Sequence, residues 1–318
     1  MDVLKQLSRT GLIPVIKLDS PDDAVPLCKA LSDGGLPVAE ITFRTAAAAE
    51  SIRRVTDALP DVLTGAGTVL NAEQAKQAAD AGASFVVSPG FDPGVVGWCV
   101  EHNLPVLPGC SNPTDFHRAL AYGLRAVKLF PAEALGGVRY LKAVNAPFPE
   151  LKFVPTGGVN PQNLRDYLNC PCVTAVGGSW LTPIDAIRAR DWRRVEQLAR
   201  DAVNLMLGLT VRHIGINDTS DEDARSDALA LSRLMGWKAE DCGKAWFAGD
   251  GFEVLKRPGR GEKGHIAIAT DSVERAMFQW QRRGFVFEDQ PVTAEGGVIK
   301  AIYLKNTVGG FAIHLLQK

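Results

Sequence analysis

Over about the first two-thirds of the chain, hydrophobic and polar positions alternate in blocks. Short apolar runs at Ile13–Leu18, Val38–Phe43, Leu63–Thr68, Phe85–Pro89, Pro105–Gly109, Ala126–Phe130, Lys152–Pro155 and Thr174–Gly178 read as strands. Amphipathic stretches between them read as helices, at Pro21–Leu31, Thr45–Leu59, Asn71–Ala81, Pro93–His102, Asn112–Tyr122, Pro161–Leu168 and Asp191–Leu207. Strands alternating with helices imply parallel pairing through crossovers. Near-continuous hydrophobicity fits strands covered by an outer helical layer. Eight such units in about 200 residues predict an α/β fold, a compact (β/α)8 TIM barrel, ahead of an open doubly wound sheet.

Nearly every apolar run ends in Gly, Ser, Thr or Pro, as in Gly65-Ala66-Gly67-Thr68, Ser88-Pro89-Gly90 and Thr156-Gly157-Gly158. In such a barrel the carboxyl ends of the strands carry the active site. Small and polar residues therefore gather where a ligand would sit.

After Leu207-Gly208-Leu209 the texture changes. Val211–Asn217, Trp246–Ala248 and Phe252–Lys256 read as strands, with a helix at Asp221–Met235. The theme then recurs, with strands at His265–Thr270, Phe285–Phe287, Ile299–Leu304 and Phe311–Leu316 and a helix at Val273–Arg283. The two halves start alike, Val211-Arg212-His213-Ile214-Gly215-Ile216 and Lys263-Gly264-His265-Ile266-Ala267-Ile268. This self-similarity predicts a duplicated βαβββ unit, and so an α+β second domain over 209–318 after a barrel over 1–208.

Composition narrows the possibilities. The 318 residues are 46% hydrophobic and 22% charged with a net charge of -1, so no basic field invites nucleic acid or an anionic membrane. No apolar run is long enough to span a bilayer, and Met1-Asp2-Val3-Leu4-Lys5 lacks a signal-peptide pattern. The six cysteines are scattered, and the single close pair, Cys170-Pro171-Cys172, is a poor zinc signal. Free buried thiols and a cytoplasmic location follow by default.

One strand carries a chemical anomaly. Lys128 interrupts the apolar run Ala126-Val127-Lys128-Leu129-Phe130, which ends at Pro131. Excluding water from an amine favours its neutral form, the form that attacks a carbonyl. A half-exposed strand lysine reaching solvent is the plainer reading of this stretch alone. On the second strand, period-two alternation puts Glu40, Thr42 and Arg44 on one side. They read either as an ion pair closing the barrel or as a proton shuttle, Glu40, beside a clamp for a substrate carboxylate, Arg44. The glycine turns Thr156-Gly157-Gly158-Val159 and Gly177-Gly178-Ser179-Trp180 end the seventh and eighth strands. Loops there commonly bind phosphate through backbone N–H groups.

In order and spacing, the segments Glu40–Thr45, Gly65–Thr68, Ser88–Gly90, Lys128–Glu133, Pro155–Gly158 and Gly177–Trp180 resemble the class I 2-keto-3-deoxy-6-phosphogluconate (KDPG) and 4-hydroxy-2-oxoglutarate (KHG) aldolases, over about Leu4–Leu207. The resemblance implies that Lys128 forms a Schiff base with pyruvate and Glu40 moves protons. It further implies that Arg44 and Thr68 hold the pyruvyl carboxylate. Pro89, Phe130 and Thr156 would line the pocket, and Gly157, Gly158 and Ser179 would receive phosphate. No cofactor is implied for this reaction. The substrate is expected to be a phosphorylated or dicarboxylic 2-keto acid, and the assembly a homotrimer. Lys17, in Val15-Ile16-Lys17-Leu18, departs from some relatives; it sits near Lys128, binds a substrate carboxylate, or makes a structural ion pair.

Residues 211–318 resemble the vicinal-oxygen-chelate (VOC, glyoxalase-like) fold of paired βαβββ modules. That resemblance points to His213, Glu253, His265 and His314 as ligands of a divalent metal, with histidine where the usual last ligand is glutamate. Three imidazoles and a carboxylate suit Zn, Mn, Ni or Fe. The leading function is a Schiff-base aldolase. The alternatives are a metal-dependent lyase or isomerase in the second domain, and a non-catalytic phosphosugar-binding protein.

Overall fold

The computed structural model describes residues 2–318, which divide into two compact units, one ending at Met206 and the other spanning Leu207–Lys318. In the first unit eight parallel strands each precede a helical or turn segment. They are β1 (Leu12–Ile16), β2 (Val38–Thr42), β3 (Leu63–Gly67) and β4 (Phe85–Val87), then β5 in two pieces, Val106–Leu107 and Gly109–Cys110. β6 (Ala126–Leu129), β7 (Lys152–Pro155) and β8 (Val176–Gly178) complete the set. Pairing runs from the first piece of β5 through β4, β3, β2 and β1 to β8, and from the second piece of β5 through β6 to β7. Parallel bridges Phe153↔Val173 and Thr156↔Gly177 join β7 to the β8 side, which closes the ring. Proline at position 108 cannot donate to the ladder, and it falls where β5 is interrupted.

The barrel interior explains where the chemistry lies. Ile13, Val38, Phe85, Ala126, Val154 and Ala175 form one buried cluster, into which Leu7 packs from the helix Val3–Thr10. Two residues further along the chain stand Val15, Glu40, Val87 (itself part of that cluster), Lys128, Thr156 and Gly177. Alternation of period two keeps these on the inward face, one layer nearer the strand ends. The apolar layer seals the barrel beneath them. Asp92, Asn112 and Asn71 cap the helices that follow β4, β5 and β3, with Pro93 and Pro113 in the first turn.

Helices Val3–Thr10, Gly137–Asn145 and Ile184–Ala189 add to the elements expected from the pattern. The second unit repeats β-α-β-β-β. The first copy is Thr210–Asn217, helix Asp221–Met235, Ala239–Asp241, Ala245–Ala248 and Phe252–Leu255. The second is Gly264–Thr270, helix Val273–Arg282, Thr293–Glu295, Val298–Tyr303 and Ala312–Gln317. Phe285–Phe287 does not form the expected strand; only Phe287 bridges to Leu304, and the short Thr293–Glu295 is the edge instead. The two copies join through their first strands, Thr210–Asn217 antiparallel to Gly264–Thr270. Each copy's last strand lies beside its own first, so the sheet reads as a mirror image about its centre.

Candidate active site and histidine cluster

Lys128 is 6% exposed and Glu40 2%, and Lys128 Nζ donates to Glu40 Oε1 at 3.3 Å. Burying either charge alone would be costly, so each makes the other tolerable. Gly67, opposite the end of β2, makes room for this pair: a Cβ there would sit 2.4 Å from Glu40 Oε1. Lys128 Nζ also lies 5.5 Å from the centroid of the Phe130 ring. Thr42 donates to the Ile16 carbonyl at 2.8 Å, tying β2 to β1.

Arg44 is exposed and its Nε donates to Thr68 Oγ1 at 3.4 Å. Thr68 has φ 55°, a backbone conformation that is costly for a β-branched residue and that turns the chain at the end of β3. The partner of Glu40 is therefore Lys128, and Arg44 is engaged by Thr68.

A cavity of about 400 Å³ opens at the strand ends, walled by Lys17, Arg44, Phe130, Thr156, Gly157, Gly158 and Ser179 among others. Gly157 and Gly158 have φ +94° and +87°, and a Cβ on Gly158 would lie 2.5 Å from the Glu133 side chain. Only glycine fits this turn without strain. The Glu133 carboxylate accepts from the Tyr167 hydroxyl, which anchors it behind the loop. Thr156 is buried, and among the described residues its hydroxyl has no hydrogen-bond partner. An unpaired buried hydroxyl at a cavity wall calls for a ligand to complete it.

Lys17 lines the same cavity and donates to Asp19 at 2.7 Å. That contact holds the exposed Asp19 carboxyl below its usual range. Pro89, Thr68, Lys128 and Glu40 are not in the cavity wall; Lys128 and Glu40 are buried, and Lys128 reaches the cavity's surroundings through its contact with the wall residue Phe130. Thr182, Pro183 and Ile184 line the cavity and escaped the sequence reading. Their one signal is position, just beyond the second glycine turn.

A barrel in which a buried lysine at the end of the sixth strand closes on a glutamate from the second has the constitution of a lysine-dependent, class I aldolase. Residues 3–198 match the family model described as KDPG and KHG aldolase, and the chain belongs to that family. A 2-dehydro-3-deoxy-phosphogluconate aldolase of Treponema pallidum is 46% identical over 204 residues, 64% of this chain and 97% of the relative. The KHG/KDPG aldolase of Escherichia coli K12 is 44% identical, covering 62% of this chain and 92% of the relative. The KDPG aldolase of Legionella pneumophila, solved with pyruvate captured as a covalent carbinolamine, superposes with TM-score 0.62 at 36% identity, over 64% of this chain and 98% of that one. A Zymomonas mobilis KDPG aldolase solved with 3-phosphoglycerate gives TM-score 0.60 at 37% identity, over 63% and 94%.

The second unit brings four further side chains together. His213, Glu253, His265 and His314 come from the four central strands of its sheet. Glu253 Oε2 lies 3.2 Å from His213 Nε2 and 3.1 Å from His265 Nε2, and the two histidine nitrogens lie 3.1 Å apart. One nitrogen from each of His213, His265 and His314 falls within 4.8 Å of the others. Gly215 leaves the space that the His265 ring fills. Hydrogen bonds from the two imidazoles push the Glu253 carboxyl down to about 2. Burial, followed by the neighbouring histidines, pushes His314 down to about 4, which keeps its ring neutral at pH 7. Both His314 nitrogens are buried and, among the described residues, lack a hydrogen-bond partner. A buried neutral imidazole with no partner, beside a carboxylate and two more imidazoles, is a donor set suited to a divalent cation.

Proposed function

We propose that this protein cleaves KDPG to pyruvate and glyceraldehyde 3-phosphate, and KHG to pyruvate and glyoxylate. The observation that carries this reading is the buried Lys128–Glu40 pair, 3.3 Å apart, with Lys128 Nζ 5.5 Å from the ring centroid of Phe130, a wall residue of the cavity that the glycine turns border. Glu40 takes a proton from the Lys128 ammonium, the freed amine adds to the C2 carbonyl, and the proton returned to the carbinolamine hydroxyl lets water leave and an iminium form. Glu40, directly or through a water, takes the proton of the C4 hydroxyl. The C3–C4 bond then breaks with its electrons flowing into the iminium, so an enamine forms instead of an unstabilised carbanion. Protonation of C3 and hydrolysis release pyruvate and free the lysine.

Arg44 and Thr68 take the pyruvyl carboxylate, while Pro89, Phe130 and Thr156 shape the pocket around C2 and C3. The backbone N–H groups of Gly157 and Gly158, with Ser179, hold the phosphate. Lys17 supplies a second cation in the same cavity. The subunit is proposed to work as a homotrimer in the cytoplasm; no helix among the described residues is long and apolar enough to cross a membrane. Borohydride reduction with pyruvate present should add the pyruvyl carbons to Lys128. A protein that turns over substrate while Lys128 stays unmodified would sink the mechanism.

The orphaned nitrogens of His314 favour a second reading for the other unit. It is a VOC-like domain whose His213, Glu253, His265 and His314 would hold a divalent metal. Such an ion would supply a Lewis acid that polarises a ligand oxygen. Loss of metal from His265→Ala in equilibrium dialysis tests it; undiminished binding rejects it.

A further inference from the structure

Beside the histidine cluster stands a cation with no part in holding a metal, Arg260. It borders a cavity of about 490 Å³ whose lining includes His213, Glu253, His265 and His314. Asn217, at the end of the strand that carries His213, grips the Arg260 loop on both sides. Its side-chain amide donates to the Gly261 carbonyl at 2.7 Å, and its side-chain oxygen accepts from the Gly259 N–H at 2.9 Å. The guanidinium carbon lies 4.6 Å from the centroid of the Tyr303 ring, and Nη1 donates to Glu288. Tyr303 in turn stacks on His314, with centroids 4.6 Å apart. A loop clamp, an aromatic face and a carboxylate thus pre-set the guanidinium at the cavity edge. A guanidinium has five N–H donors, so the contact through Nη1 leaves capacity for a planar anion.

Charge and coordination narrow the ligand. A divalent cation held through three imidazole nitrogens and one carboxylate would leave a single excess positive charge, and the Arg260–Glu288 pair adds none. A monoanion balances it. Four protein donors also leave open positions on a metal that accepts six. The remaining walls include Pro291, Val292 and Leu316, which suit a short carbon skeleton.

We propose that this cavity binds a small 2-oxo or 2-hydroxy monocarboxylate, its carboxylate taken by Arg260 and its 2-oxygen turned toward the histidine cluster. The proposal rests on the reading of that cluster as a metal centre. It gives the second unit a ligand of the same chemical class as the pyruvate released by the proposed aldol cleavage.

The test uses full-length protein loaded with Co²⁺, whose visible absorption reports on the donors around the metal, and L-lactate as the probe. Lactate has no keto group and cannot form an iminium with Lys128. Lactate should change the Co²⁺ spectrum saturably. Arg260→Gln should weaken that response by roughly tenfold to a hundredfold, the loss of a hydrogen bond to a charged group, with Co²⁺ affinity held within about twofold. Arg260→Lys should recover part of it, because a point charge replaces a fork. Co²⁺ binding with a spectrum that lactate leaves unmoved, or equal lactate affinity in Arg260→Gln, overturns the proposal and leaves the metal reading standing. A Co²⁺ spectrum unaffected by His265→Ala overturns both.

Discussion

The two units bury ionisable groups in opposite ways. In the barrel, Lys128 and Glu40 are each other's partner, so the buried charges are balanced within the protein. In the eight-stranded sheet, Glu253 is shared by His213 and His265, while the buried nitrogens of His314 have no partner among the described residues. The first arrangement is complete without another atom and waits for a carbonyl. The second is the arrangement that the proposed cation would complete. A satisfied pair can store a nucleophile, and an unsatisfied cluster advertises a ligand.

The largest effect is expected at Lys128. Lys128→Ala should lower turnover of KDPG on the order of 10⁴-fold or more, because no other amine can open the covalent route. Steady-state assays on protein with an unchanged circular dichroism spectrum measure it. A loss below tenfold would show that the lysine is only structural. Glu40→Gln comes next: it keeps the shape and removes the base, so kcat should fall about 10²–10⁴-fold. Pyruvate trapping on Lys128 should persist in that variant, which separates iminium formation from proton transfer.

The barrel site was largely legible in the sequence. A lysine in an apolar run, a glutamate sharing a strand face with Thr42 and Arg44, and paired glycines at strand ends are each ambiguous alone, and become legible together because the barrel pattern puts all of them at strand ends. The cavity residues Thr182, Pro183 and Ile184 were hidden, since nothing in their own composition tells a cavity wall from a loop. The helix Gly137–Asn145 was masked by its opening, where Gly136 and Gly137 both take positive φ. The histidines were visible as strand residues in two similar halves. Their convergence depends on register across four strands, and on first strands meeting at the centre of the sheet. The role of Arg260 depends on Asn217, 43 residues earlier, and no periodicity links the two.

A smaller effect belongs to the phosphate turn. Gly158→Ala puts a side chain at φ +87° and drives it against Glu133, so the loop must shift. Strain of about 1–3 kcal/mol is expected. If the turn receives phosphate, KM for KDPG should rise roughly tenfold, the equivalent of about 1.4 kcal/mol, while KM for unphosphorylated KHG moves far less. Equal changes for both substrates would take the phosphate role away from Gly158.

The smallest effect on aldol cleavage, and the sharpest test of the contrast, is His265→Ala. His265 contacts His213, Glu253, Tyr303 and His314 of its own sheet, so aldolase turnover should stay within about twofold of the parent, an insignificant difference on a free-energy scale. The same substitution should abolish a metal-dependent rise in unfolding temperature. Zn²⁺ at about a hundredfold over its dissociation constant should stabilise the parent by about 2.7 kcal/mol, and the variant by almost nothing. Calorimetry with and without Zn²⁺, beside the turnover assay, reads both units in one protein. An aldolase rate that collapses with His265 would mean that the cluster serves the barrel chemistry, and the division between a self-balanced nucleophile and a cation-seeking cluster would fail.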